Sequence, residues 1–434
     1  MEVRVSLEDQ AHGIHIDLAE LTENARSHSK RELMRLIERR QEELIYELCG
    51  PRYSRGHTYR RGGSYTKTLI TGLGMVRFRV KRVIRRIDDT VRSPILEALD
   101  AKRRRYSRDV RMKCVEFASK LSYGDASTEF ETATGVYVPK RTIHSFVQQI
   151  APRLLELNRT AAKAGLVIGD STKVRGLASR EMNNVRVLIS GGGRMLALEV
   201  NEEWPTVEAG VLVSDGETGL IGAVKAERRQ LCILHAIKYL LFTLWKEGMS
   251  KEERDEAAGA IKQTLFTLVN STRKHLEDGD EERLQARIDW TLRELHEMAR
   301  ELRERGYPKA AALVTKHARF MVTFAELALE GVEIPYTTNR IERLMGEVSK
   351  RCKHRWMHWS TRGLKNILSL VLVRYTNELL YTAFKNAYIH NEAFIRCPQH
   401  NPILQLHNTN TLTRCEDLGL LSFSPSCTGQ WRPR

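Results

Sequence analysis

Three carboxylates carry the pattern in this chain that could do chemistry. Asp170 closes the apolar stretch LVIGD and Asp215 closes VEAGVLVSD. Glu342 lies in TTNRIERLMGEVSKRCKHRWMHW, residues 337–359. Two acids from strand ends and one from a helix can hold two divalent cations about 3.5–4 Å apart, which activate an attacking oxygen and stabilise a leaving one. Oxygen ligands suit Mg²⁺ or Mn²⁺, so the pattern calls for two such ions per site. Each acid also has a plainer reading. Asp215-Gly216 is a common turn dipeptide, and Asn339 with Glu342 three residues on fits a capping box. The surrounding charge favours the chemical reading: from Val348 to Asn377 there are seven Lys or Arg and no Asp or Glu.

The neighbours of these acids suit a phosphodiester. The spacing predicts one helix over 337–359, with Ile341, Leu344, Met345 and Val348 on its apolar face and Asn339, Glu342 and Arg343 on another. Arg343 and Arg175, the latter five residues past Asp170, offer forks for phosphate. Lys350, Arg351 and Arg355 extend the cationic surface. Trp356 and Trp359 either stack on unpaired bases or pack the helix onto the core. Cys232 and His235 have the spacing of half a zinc site, but no second pair stands near in sequence. Cys397, His400, His407, Cys415 and Cys427 are too irregularly spaced to make a convincing zinc knuckle.

The elements that must position these groups are legible as well. Residues 29–49 read as an amphipathic helix behind a polar leader. Val76, Phe78 and Val80 alternate with Arg77, Arg79 and Lys81 after a Gly72–Gly74 turn, which predicts a β-hairpin with one basic face. Such a ribbon can follow a phosphate backbone or a groove, or be a scaffold with a solvated face. Three helices, at about 107–121, 123–134 and 139–155, have helix-turn-helix spacing, with Lys140 and Arg141 leading the third; a plain three-helix bundle looks similar. From Gly165 the pattern changes to three strands and then strand–helix–strand, an α/β mixed sheet whose acids sit at strand ends. The block 250–330 is helical throughout and highly charged, and the chain after Tyr388 is polar and poorly patterned.

Composition bounds the partners. The chain of 434 residues has a net charge of +16, and 51–113 alone holds nineteen Lys or Arg against five Asp or Glu. That points to nucleic acid. Seven scattered cysteines argue against a disulfide framework and for a reducing compartment. No secretory pattern opens the chain and no apolar run nears twenty residues, so no membrane span is expected.

The blocks GDSTKVR (169–175), VSDGETGL (213–220), QLCILH (230–235) and TTNRIER (337–343), in this order, resemble the Mutator-type DDE transposases of prokaryotic insertion sequences. The resemblance covers about half the chain, from Gly165 to Tyr388, and the Cys-x-x-His and TTN-x-x-E-R blocks are its most specific parts. It implies a ribonuclease H-like core interrupted by an all-α insertion, with Asp170, Asp215 and Glu342 as catalytic metal ligands. It also implies that Cys232 and His235 are carried without a zinc requirement. The organisation expected is a helical leader (1–50), a basic hairpin region (51–100), a helix-turn-helix-like DNA-binding domain (101–160), a catalytic core (161–249 and 331–390), the insertion (250–330) and a tail (391–434). The expected function is metal-dependent cleavage and strand transfer at the inverted repeats of an insertion sequence. Double-stranded DNA, both element ends and target, would be the partner. The enzyme would act as a homodimer or larger assembly in the cytoplasm, on the nucleoid. A nuclease or resolvase without strand transfer, and a domesticated DNA-binding protein, are the rival expectations; the intact acidic set argues against the second.

Overall fold

Helix α1 (Leu18–Cys49) opens the computed structural model, which describes residues 17–52, 55–158, 163–178 and 180–390. It starts eleven residues before the helix expected at Ser29, because Asp17 caps it, accepting from the Ala19 and Glu20 amides. Its buried stripe, Ile37, Gln41, Ile45 and Cys49, repeats every four residues. Strands β1 (Tyr59–Thr71) and β2 (Gly74–Arg85) form the expected antiparallel hairpin, extended by the short β3 (Val91–Arg92) and followed by α2 (Pro94–Ala98). Val76, Phe78 and Val80 pack with Leu69 on Ile37, Ile95 and Leu96. Arg77 and Arg79 therefore face outward, as the alternation requires. Gln41 caps the hairpin's free edge: its amide donates to the Arg79 carbonyl, and its oxygen accepts from the Lys81 N–H.

Helices α3 (Arg108–Lys120), α4 (Tyr123–Thr134) and α5 (Lys140–Leu157) match the three expected, with Gly135 in a left-handed C-cap after α4. They share one apolar cluster with the central sheet and the C-terminal helices.

The central sheet has strands β4 (Lys163–Arg175), β5 (Met182–Ser190), β6 (Met195–Val200), β7 (Val207–Ser214) and β8 (Val224–Leu231), in the order β6-β5-β4-β7-β8. The first three form an antiparallel meander, and β7 and β8 join parallel to β4. The fold is thus mixed α/β. Alternation splits β4 between two cores: Ile168 and Val174 face the large cluster, whereas Val167 joins Leu188, Trp204, Leu212 and Leu220 behind the sheet. The connection α6 (Thr218–Ala223) is six residues long, shorter than the ten expected.

Helix α7 (Ile233–Lys246) leads into α8 (Lys251–Asp278), α9 (Glu281–Glu304) and α10 (Pro308–Leu329), the all-helical block expected over 250–330. The chain then returns through α11 (Asn339–Cys352), α12 (Thr361–Thr376) and α13 (Glu378–His390). Helix α11 packs along β4, and α12 along β6 and α5. The single helix expected over 337–359 is really α11 plus a loop. The Lys353 N–H still bonds back to Ser349, but Trp359 leaves the helical path and donates its N–H to the Arg175 carbonyl, pinning the loop to the end of β4. No helix among the described residues is long and apolar enough to cross a membrane. The tail from 391, with its five cysteines and histidines, lies outside the described residues.

Candidate active site

The register of the parallel strands sets the two aspartates side by side. Ile168 of β4 pairs with Val213 of β7, and Asp170 and Asp215 each follow two residues later. Both therefore leave the sheet toward the face that holds Ile168 and Val213. Asp170 does not end its strand: β4 runs on to Arg175, paired only with β5. What stops at Ile168, two residues earlier, is the pairing with β7, and that opens the cleft. Gly169 lets this happen, since a Cβ there would lie 2.6 Å from Leu220 Cδ2 and 2.9 Å from Leu188 Cδ2. Gly216 allows the turn after Asp215 at φ +97°.

Asp215 is held on both oxygens. The Glu217 N–H donates to Oδ1 at 3.0 Å, and the Tyr239 hydroxyl, from the second turn of α7, donates to Oδ2 at 3.1 Å. Burial, then the Asp215 charge beside it, pushes the Tyr239 phenol well above its usual range. Glu217 locks the turn: its carboxylate accepts from Ser171 Oγ and Trp204 Nε1, each at 3.0 Å.

The third acid comes from the first turn of α11. Thr338, its N-cap, is buried and donates its hydroxyl to Glu342 Oε1 at 2.7 Å. The capping box of Asn339 with Glu342 does not form, because Asn339 is already helical and exposed. Strand β8 ends beside β7, where the Cys232 N–H donates to the Ser214 carbonyl. His235, in the first turn of α7, brings Nδ1 to 3.7 Å from Glu342 Oε1. Asp170, inside β4, thus gathers with Asp215, Cys232 and His235, which follow the C-terminal ends of β7 and β8, and Glu342 closes over them.

Electrostatics bind the group together. Burial pushes the Asp170 carboxyl up to about 6; the Ser171 N–H opposes this, while the charges of Asp215 and Glu342 add to it. The Cys232 bond raises the His235 imidazole against burial, with help from Asp215 and Glu342. Burial pushes the Cys232 thiol up, but bonds from His235 and Thr338 outweigh it and leave the thiol below its usual range. Three carboxylates crowd one cleft, and Asp170 resists ionising there. Their oxygen donors fit a hard divalent cation, whose charge would relieve that crowding.

The expected DNA contacts fare unevenly. Lys140, Arg141, Arg355 and Trp356 are exposed, Trp356 stacking on His354. Lys350 is exposed and pairs with Glu347 at 2.7 Å. Arg343 lines a groove of about 260 Å³ with Arg340, Gly193 and Tyr375. Arg351 must be removed from the list. It is 5% exposed, its Nε donates to the Ala118 carbonyl at 2.9 Å, and its guanidinium lies over Tyr123 and Trp359. Trp359 is likewise core, its indole N–H bonded to the Cys352 carbonyl. Arg175 is also misplaced as a clamp. Five residues from Asp170 along an extended strand, about 16 Å, put it on the opposite face, and its guanidinium donates to the Arg355 carbonyl. Lys81 pairs with Glu42 of α1, so it is only partly free for phosphate.

Sequence reasoning missed Tyr239, Thr338, Glu217 and Lys353. Lys353 bonds Thr172 Oγ1, on the same face of β4 as Asp170 and two residues further along. A cavity of about 640 Å³, lined by Arg26, Lys30 and Arg105, lies between α1, the hairpin turn and the end of α4, away from these acids. Compared with known proteins, the chain matches no protein-family model and no curated protein.

Proposed function

We infer that this chain is a DNA transposase of the Mutator type, with a ribonuclease H-like core that binds the inverted ends of an insertion sequence, cleaves them and joins them to target DNA. The observation that carries the reading is the meeting of Asp170, Asp215 and Glu342 from β4, β7 and α11, on either side of an all-helical insertion. The mixed sheet, the basic hairpin and the helical segment before it are compatible with that reading.

Asp170, Asp215 and Glu342 would hold two Mg²⁺ or Mn²⁺ ions. When bound, these would supply Lewis acidity and charge stabilisation at the phosphodiester. The chain's own residues do the remaining work. Tyr239 and the Glu217 amide fix the Asp215 carboxylate, and Thr338 fixes Glu342. Lys353, held at Thr172, would offer a cation to the charge that gathers on the scissile phosphate. The exposed Arg77, Arg79, Lys140, Arg141, Arg343, Arg355 and Trp356 supply DNA contacts. In the first step water adds to phosphorus, the bond to the 3′ oxygen breaks, and a 3′-hydroxyl is freed. In the second, that hydroxyl attacks a target phosphodiester and displaces a target 3′-hydroxyl. Joining two ends at once calls for a dimer or larger assembly acting on the nucleoid.

The test is incubation of the purified chain with DNA carrying the junctions of its own element, beside supercoiled target. Cleavage at the junctions and joined products in Mg²⁺, with neither in chelator, are expected. Cleavage without joined product would make the chain a nuclease, and binding without cleavage a DNA-binding protein.

A further inference from the structure

The acid cleft contains a second set of ligands, two of which, Cys232 and His235, the cleavage reading does not use. Cys232, His235 and Glu342 bring a sulfur, an imidazole nitrogen and a carboxylate oxygen within 4.8 Å of one another. Among the described residues this is the one group of three such side chains that close. Cys232, the N-cap of α7, and His235, in its first turn, meet Glu342 from the first turn of α11, so the packing of two helix starts builds the cluster. Thr338 sits inside it: its hydroxyl lies 3.2 Å from His235 Nδ1 and 2.7 Å from Glu342 Oε1, and its N–H donates to Cys232 Sγ at 3.4 Å. Cys232 is buried, whereas the side chains of His235 and Glu342 are 21% and 42% exposed. One side of the cluster is therefore open to an entering ion and to water as a fourth ligand.

The donor set is wrong for Mg²⁺ and right for a softer ion. Thiolate and imidazole select Zn²⁺ and its relatives, and carboxylate serves either class. We propose that Cys232, His235 and Glu342 form a site for a thiophilic divalent cation such as Zn²⁺, which shares Glu342 with the hard-cation site of Asp170 and Asp215. On binding, the Cys232 thiol proton leaves to solvent, the sulfur–metal bond forms, and the Thr338 hydroxyl gives up its place on Glu342. The same carboxylate is then drawn away from the aspartates. Resting as it does on the cleavage reading, the consequence is that Zn²⁺ acts as a brake on Mg²⁺-dependent cutting.

Co²⁺ is the probe, added to the full chain carrying Asp170→Asn and Asp215→Asn so that the aspartate pair cannot compete. A sulfur-to-cobalt charge-transfer band should appear in the near ultraviolet and be displaced by Zn²⁺. Adding Cys232→Ser should remove that band. Adding His235→Gln instead, at a half-buried position where folding is safer, should weaken Co²⁺ binding by more than the roughly 10–100-fold cost of losing a mere outer-shell partner. Far-ultraviolet circular dichroism checks that each variant is folded. Absence of the band, or a band whose intensity and midpoint survive in both variants, overturns the proposal. The readout needs no DNA. Mg²⁺-dependent cleavage by the wild-type chain without a band in the probed chain would sink this site alone, and a band there without cleavage by the wild-type chain would sink the transposase reading alone.

Discussion

Asp170 is where the cost of the site is concentrated. Its carboxyl is pushed up to about 6, first by burial and then by the neighbouring acids. A folded-state value above the unfolded one means that the native chain binds more protons, so stability falls as pH rises from the ordinary aspartate range to about 6, and stays low above it. In chelator, Asp170→Asn should remove that fall and raise stability near neutral pH by on the order of 2–3 kcal/mol, at about 1.4 kcal/mol per tenfold change in proton affinity. Thermal melts from about pH 4 to about pH 8 read this directly, and Mg²⁺ should flatten the wild-type curve in the same range. Equal slopes in the two chains would mean that the carboxyl is not crowded. The two aspartates were legible in the sequence because each follows an apolar strand. Cys232, His235 and Thr338 were not legible as one cluster: Thr338 lies about a hundred residues from the other two, and only the return of the start of α11 to the start of α7 joins them.

At the scale of elements, amphipathic periodicity made most of the chain readable. Val76, Phe78 and Val80 gave the hairpin, and the helices α3, α4 and α5 came within about two residues of their expected ends. The failures have physical causes. DSTK carries no apolar alternation, so the sequence does not mark the part of β4 that is held only by β5 and that carries Arg175. The stretch KRCKHRW is helix-compatible, so nothing in it marks the end of α11, which the bond of Trp359 to the Arg175 carbonyl sets. Arg351 shows the limit of reading charge as surface, since its partners are a backbone carbonyl and two rings. A direct test of how β4 positions Asp170 is Gly169→Ala. The added methyl would meet Leu220 and Leu188 below 3.0 Å. Overpacking of this kind costs about 1–3 kcal/mol, and the shift of β4 should also slow cleavage. A folded Gly169→Ala chain with the wild-type melting temperature would show that α6 yields instead.

At the scale of the molecule, the basic N-terminal hairpin has its own small core with α1 and α2, and the acid cleft belongs to the large one. Affinity and chemistry should therefore separate by mutation. Replacing Arg77 and Arg79, whose side chains face outward, should flatten the slope of log K against log salt by about two, at roughly 0.9 per phosphate contact. Adding Lys81, paired with Glu42, should change it little further; filter binding across a salt series checks both. An unchanged slope would make the hairpin a scaffold. The most direct test of the whole account measures cleavage and binding on the same junction DNA for wild type, Asp170→Asn, Asp215→Asn and Glu342→Gln. The neutral amides keep shape but lose the charge that holds divalent cations. The account predicts wild-type cutting in Mg²⁺ that stops in chelator, and no detectable cutting by any variant, with affinity for the junction near wild type in all four. Cutting that persists in chelator, or full activity in any one variant, would contradict it.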